Sequence, residues 1–144
     1  EHPDVVARLT AAYDAWFDDV SSTRGYDPPR IHLGTEQENP VTLTRQDWRG
    51  PLAGWRDQDV GHWEVLVAAG GVYRVTLRFP ETPAECLAHF SLGDVMMEQQ
   101  VPAGASSVTF EGVRLPEGPA RLEAWLIQGE QTPGAHYVDL ERVE

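Results

Sequence analysis

Lysine is absent from this chain, cysteine occurs once, and no apolar run is long. Each lack removes a class of protein. The 11 basic residues are all scattered arginines, and against 23 Asp and Glu they leave a net charge of -12 over 144 residues. That balance repels phosphate backbones and anionic lipid, so neither a nucleic-acid nor a membrane partner is expected. The single cysteine, Cys86, permits no internal disulfide and no thiolate metal cluster, and it gives no clue to redox compartment. No apolar stretch approaches the roughly 18 residues of a membrane span. The opening EHPDVV has neither the basic nor the apolar region of a signal peptide. With no Met at its start, the chain is expected to be a fragment or a processed product.

What is present is alternation. In GHWEVLVAAGGVYRVTLRF, Gly61 to Phe79, Trp63, Val65 and Val67 alternate with other residues. After a break at Ala68-Ala69-Gly70-Gly71, Tyr73, Val75, Leu77 and Phe79 share one face while Arg74, Thr76 and Arg78 take the other. Period two on both sides of a Gly-Gly break predicts two half-buried strands joined by a tight connection. Further strands are expected at Ile31 to Leu33, Val41 to Thr44, Cys86 to Leu92, Val95 to Val101, Ser107 to Leu115, Ala120 to Gln128 and Tyr137 to Val143. Gly93-Asp94 signals a hairpin and Gly112 a bulge. Eight or nine strands at regular spacing predict an antiparallel β-sandwich. One helix precedes them. Val5, Leu9, Ala12, Tyr13, Trp16, Phe17 and Val20 recur at helical spacing behind Asp4 as the expected N-cap. Its aromatic face must be covered by the sheet or by a part of the protein not present in this chain, at about 1.5–3 kcal/mol per large side chain buried. Gly25 and Pro28-Pro29 end it, which places the helix at 1–21, a linker at 22–30 and the sandwich at 31–144.

Chemistry is sparse. His2, His32, His62, His89 and His136 show no HxH or HExxH spacing, so no metal site is expected from them. Asp57, Asp59 and Glu64 could offer oxygen ligands to Ca²⁺, without the spacing of an EF-hand; nothing fixes the separation that a glycosidase acid pair needs. Cys86 stands in an apolar alternation and reads as a buried, inert thiol. None of the five serines lies in GxSxG. Aromatics remain: Trp48, Trp55, Trp63 and Trp125, with Tyr26, could offer apolar platforms to a sugar ring. Trp63 and Tyr73 read as core. Trp48 and Trp55, in the Gly/Pro loop Gln46 to Gly61, are expected to be exposed. With Asp57, Asp59 and His62 they form the candidate ligand-binding set.

Several segments together carry a resemblance. EHPDVVARLTAAYDAWFDDVSS resembles the helix that closes the catalytic region of many bacterial arylsulfatases. ENPVTLTRQDW (Glu38 to Trp48), the Gly61 to Pro80 segment, VPAGASSVTFEGVRLPEGPARLEAWL (Val101 to Leu126) and GAHYVDLERV (Gly134 to Val143) look like the C-terminal extension of that family. GGVYRVTLRF by itself is similar to the Gly-x-Tyr strand of many carbohydrate-binding jelly rolls. The sulfatase motif (C/S)-x-P-x-R is absent, because Cys86-Leu87-Ala88-His89 does not match it and no serine does. The resemblance therefore implies a non-catalytic, jelly-roll-like accessory domain with no catalytic residue and no cofactor of its own. Formylglycine and Ca²⁺ would belong to a catalytic domain outside this chain, the expected partner, whose substrate entrance the loop Gln46 to Gly61 could shape. The alternative is an independent carbohydrate-binding module using the loop tryptophans, for a carbohydrate or sulfated ligand. A small enzyme and a self-associating structural domain are the remaining readings.

Overall fold

In the computed structural model, residues 2–23, 25–26 and 28–144 are described; Glu1 of the expected helix, and Arg24 and Asp27 of the expected linker, lie outside them. Helix α1 runs Pro3–Ser22. It starts two residues earlier than an Asp4 N-cap would place it: His2 is the cap, Pro3 supplies its fixed φ at the first helical position, and Asp4 sits inside the first turn, where its charge suits the helix dipole. At the other end the Gly25 N–H bonds to the Ser21 carbonyl at 2.8 Å, with Gly25 in the left-handed region at φ +67°, and that closes the helix. Not one residue of α1 is buried. Trp16 is 57 % exposed. The sandwich therefore does not cover the aromatic face; instead Tyr13 packs on Trp16 and Phe17 with ring centroids 5.7 and 6.0 Å apart.

Among the described residues nine strands follow, in two sheets. The first contains β1 (Ile31–Leu33), β3 (His62–Val67), β8 (Gly118–Ile127), β5 (Cys86–Leu92) and β6 (Val95–Val101) in the order β1-β3-β8-β5-β6. The second contains β2 (Val41–Thr44), β9 (Tyr137–Arg142), β4 (Gly71–Arg78) and β7 (Ser107–Leu115) in the order β2-β9-β4-β7. Every pairing is antiparallel except β1 with β3. The described residues thus form a jelly-roll-like β-sandwich preceded by one helix: the alternation predicts the sandwich, and the jelly roll is what the resemblance implies.

The Ala-Ala-Gly-Gly break has a role that periodicity does not reveal. It joins β3 to β4, which belong to different sheets, so the two strands face each other across the core instead of pairing. Ala68 N–H bonds to the Leu33 carbonyl at 2.9 Å and Tyr73 O–H donates to the Ala69 carbonyl at 2.6 Å, which pins this corner. Trp63, Val65 and Val67 on one side meet Tyr73, Val75 and Leu77 on the other, and all six are fully buried. Phe90 and Phe110 meet between the sheets with centroids 6.1 Å apart, and Trp63 Nε1–H finds the Thr44 carbonyl at 2.7 Å. Full burial of each such side chain is worth about 1.5–3 kcal/mol. Cys86 is a buried free thiol.

The turns follow the expected chemistry. Leu92 pairs with Val95, so Gly93-Asp94 forms a two-residue hairpin with only Gly93 in the left-handed region. Between the pairs Tyr73–Val113 and Val75–Phe110, Glu111 and Gly112 oppose the single residue Arg74: a bulge, with Gly112 at φ +70°. The registers also give the sandwich two unlike ends. Loops 45–61, 79–85, 102–106 and 128–136 gather at one, while 34–40, 68–70, 93–94 and 116–117 make short connections at the other.

Candidate functional site

The long-loop end is built around Arg45 and Trp48. Arg45 is buried and donates to the carbonyls of Gly134 at 2.7 Å, Arg56 at 2.8 Å and Ala135 at 3.3 Å. Its guanidinium lies 4.5 Å from the centre of the Trp48 ring. One side chain thus ties loop 45–61 to loop 128–136. Burial pulls the Arg45 pKa down while Asp57 and Asp59 pull it up, and an arginine stays charged throughout.

Trp48 departs from expectation. It is 6 % exposed and packs on Trp63 with centroids 5.7 Å apart. Two glycines make room for it: a Cβ at Gly61 or Gly134 would come within 2.7 or 2.8 Å of the indole. Asp59 is also buried, accepting from the Arg56 backbone N–H at 2.9 Å and from Arg56 Nε at 3.2 Å, while its own carbonyl receives Gly134 N–H at 3.1 Å. The Arg56 backbone bond, more than any charge, holds its carboxyl below the usual range, against the opposing effect of burial. Trp48 and Asp59 are the braces of the loop.

Trp55 is 71 % exposed, as expected of it, and Asp57 projects into solvent. Asp57 Oδ1 stands 3.4 Å from His136 Nε2, a buried atom with no hydrogen bond. Burial first and then Arg45 push the His136 pKa down, against Asp57, so His136 is neutral at pH 7. His62 is not part of this group. It starts β3 on the outer face of the five-stranded sheet, near Glu64. Asp57, Asp59 and Glu64 therefore do not converge, and no group of three potential metal ligands forms among the described residues.

Three loops that are remote in sequence enclose a recess of about 190 Å³ at this end. Phe79, Pro83, Leu126 and Pro133 give it apolar walls; Asp57, Glu81 and Gln128 add polar groups. Apolar walls with a few polar groups match what a polyol ring needs: C–H contact on its faces and acceptors at its hydroxyls. Of this recess the sequence reading singled out only Asp57. The other visible signal was the proline-rich FPETPAE beside the Phe79 strand end. Cys86 has little footing as a nucleophile, since it is buried and the polar atom beside its sulfur is the Gln128 amide nitrogen at 4.0 Å, which cannot take a proton from it.

No protein-family model matches the chain, and no curated protein is similar to it. Solved structures are. A GH26-CBM35 β-(1,4)-mannanase of Podospora anserina is similar at TM-score 0.53 and 17 % identity, over 74 % of this chain and 28 % of that one. The CBM36-1 domain of a multidomain xylanase from the hindgut metagenome of Trinervitermes trinervoides gives TM-score 0.53 and 14 % identity, over 74 % of this chain and 99 % of that one. A family 35 carbohydrate-binding module of Clostridium thermocellum gives 0.52 and 14 %, over 74 % and 100 %. The chain thus spans little more than a quarter of the mannanase but the whole of each isolated module. At these identities the likeness is one of fold: the jelly roll of carbohydrate-binding modules.

Proposed function

We propose that this chain is a non-catalytic carbohydrate-binding domain that holds a glycan at its long-loop end. The observation that carries the reading is the recess between loops 45–61, 79–85 and 128–136, with solvent-facing Trp55 on the first of them, on a fold that free-standing modules share over their full length. Trp55 offers a stacking surface, Asp57 and Gln128 take hydroxyl hydrogen bonds, and Phe79 with Leu126 forms the apolar wall. Arg45, Trp48 and Asp59 hold the loop still, which lowers the ordering cost of binding. A glycan array followed by calorimetry tests this. Trp55→Ala is expected to weaken the best ligand about tenfold or more, and Asp57→Asn to weaken it less. Failure of the folded chain to retain any glycan would sink the reading.

A second reading is favoured by α1. Its Val6, Leu9, Tyr13, Trp16 and Val20 recur at alternating steps of three and four and are all exposed. Such a seam fits another helical surface. In this reading the chain is the accessory domain of an arylsulfatase-like hydrolase, and α1 docks it onto the catalytic domain that would carry the (C/S)-x-P-x-R motif with its formylglycine and Ca²⁺. Covering the seam moves Trp16 out of water. The expected outcome is a blue-shifted Trp16 emission when the parent catalytic domain is joined to the chain; unchanged emission counts against the docking.

A further inference from the structure

The outward face of the five-stranded sheet collects side chains that neither reading uses. Cross-strand partners share a face, so the register His62–Glu123–Ser91, Glu64–Arg121 and Trp125–His89–Glu98 lays them in adjacent rows. Arg30, just before β1, donates to Glu64 Oε2 at 2.6 Å and to the carbonyls of Ala120 at 3.2 Å and Val65 at 3.4 Å, which anchors the β1 edge. Two further cationic or titratable groups meet Glu64 at longer range, beyond hydrogen-bond distance: Arg121 Nη2 at 3.6 Å and His62 Nε2 at 3.6 Å from Oε1. Arg49 arrives from loop 45–61, held in place by reciprocal backbone bonds with His62 of 2.7 and 2.9 Å. Among the described residues no carboxylate lies within ion-pair distance of its guanidinium.

One carboxylate is thus shared among several cations. At the groove end of the face Arg30, Arg49 and Arg121 set three positive charges against the two of Glu64 and Glu123, in a chain whose net charge is -12, while Glu98 lies at the Trp125 end. An open groove of about 500 Å³ runs between Pro28, Arg30, Arg49, His62 and Glu64. Further along β8, Trp125 stacks on His89 with centroids 4.0 Å apart and planes 22° off parallel, and His89 Nδ1 lies 3.2 Å from Glu98 Oε1. His89 and Ser91 point away from the core, yet each is 8 % exposed, and α1 covers neither, since none of its own residues is buried. The indole itself covers His89, and Trp125 is only partly buried, so it leaves aromatic surface on this face.

We propose that this face is a second binding site, in which the arginine groove takes a carboxylate or sulfate ester of an acidic glycan whose further rings run along β8 to Trp125. Arg49, without an ion-pair partner among the described residues, and Arg121, held to Glu64 only at 3.6 Å, are the guanidinium forks for the oxyanion, a geometry that arginine suits and that charge-assisted bonding strengthens. From Arg121 to Trp125 is four strand residues, about 13 Å; an oligosaccharide crosses that distance and a monosaccharide does not. The anion subsite stands independently of the long-loop site. Only the sugar character of the ligand rests on the carbohydrate-binding reading.

The test is calorimetry of the whole chain with three oligomers of matched length: oligogalacturonate, which carries carboxylates alone, a sulfated galactan oligomer without carboxylates, and a neutral manno-oligosaccharide. At least one acidic oligomer is expected to bind about tenfold or more tightly than the neutral one, and more weakly as salt rises; which of them does so identifies the anion. The double variant Arg49→Gln/Arg121→Gln is expected to lose that preference, while Trp55→Ala keeps it. Arg30 is left intact because it anchors β1. Equal affinity for acidic and neutral oligomers, or an unchanged preference in the double variant, overturns the proposal. Loss of neutral-oligomer binding in Trp55→Ala speaks to the long-loop site alone, so the two proposals fail separately.

A wild-type measurement stands beside the variants. The His62 ring is faced by Arg49 from the loop, Glu64 from its own strand and Arg121 and Glu123 from β8, with Arg30 beyond Glu64. Its proton resonance is expected to titrate at higher pH with the acidic oligomer bound, and no change overturns the site.

Discussion

Arg45 places more constraint on the long-loop end than any residue that the sequence singled out. Its removal strands three backbone carbonyls under Trp48. Arg45→Met is expected to cost about 2–4 kcal/mol in urea denaturation, and Arg45→Lys to recover only part of that, because an ammonium cannot reproduce the fork. Acid should weaken the fold in two stages. His62 and His136 have folded-state pKa values below the ordinary histidine value of about 6.5. Their neutral forms are favoured in the folded chain, so this contribution is complete above that value and drains away as pH falls through the folded pKa values. Asp59 adds a second loss, beginning near the ordinary carboxylate value of 3.8 and ending below its lowered folded pKa. Chemical denaturation at pH 8, 5 and 3 should therefore give descending stabilities, with the last step blunted in Asp59→Asn. In the sequence, Trp48 and Asp59 look no different from Trp55 and Asp57. The glycines that seat the Trp48 indole include Gly134, some 86 positions away, and no local pattern reports such a distant fit.

At the scale of elements, the strands were legible because one face of each meets the core and the other meets water, which writes period two directly into β3, β4, β7 and β8. Sheet membership was not legible. The Ala-Ala-Gly-Gly corner changes sheets because of the bonds at Leu33 and Ala69, and the order β1-β3-β8-β5-β6 brings together strands far apart in the chain. The arginine groove was hidden for the same reason, since Arg30, Arg49 and Arg121 are scattered until β1, β3 and β8 align. Helix α1 was legible as an amphipathic element, but what covers it is not written in its own residues. Since α1 buries nothing, a chain starting at Pro28 should melt within about 3 °C of the full chain by circular dichroism.

For the whole molecule, topology sets the pace of folding. Trp63 pairs with Leu122, Val75 with Leu140 and Val41 with Leu140, so nearly every ladder closes a long loop. Stopped-flow refolding is expected in the millisecond-to-second range usual for all-β sandwiches, rather than the microseconds of helical bundles.

The unlike ends of the sandwich have a practical outcome. The long-loop end is tied at particular points: Phe79 and Thr82 donate their N–H groups to the Ser106 and Ala105 carbonyls, and segment 128–136 is held by the Gln128–Gln131 bridge and by the bonds of Leu126 N–H to Pro133 and Ala135 N–H to Ala124. Between those ties, positions 80, 81, 83–85, 130 and 132 lie outside every ladder. A combinatorial library randomised at 80, 81, 83–85, 130 and 132 should therefore keep the parent's far-ultraviolet spectrum while its members diverge in what they retain from a mixture of sugars. The fold lends itself to retargeting: a fixed chassis with an exchangeable tip.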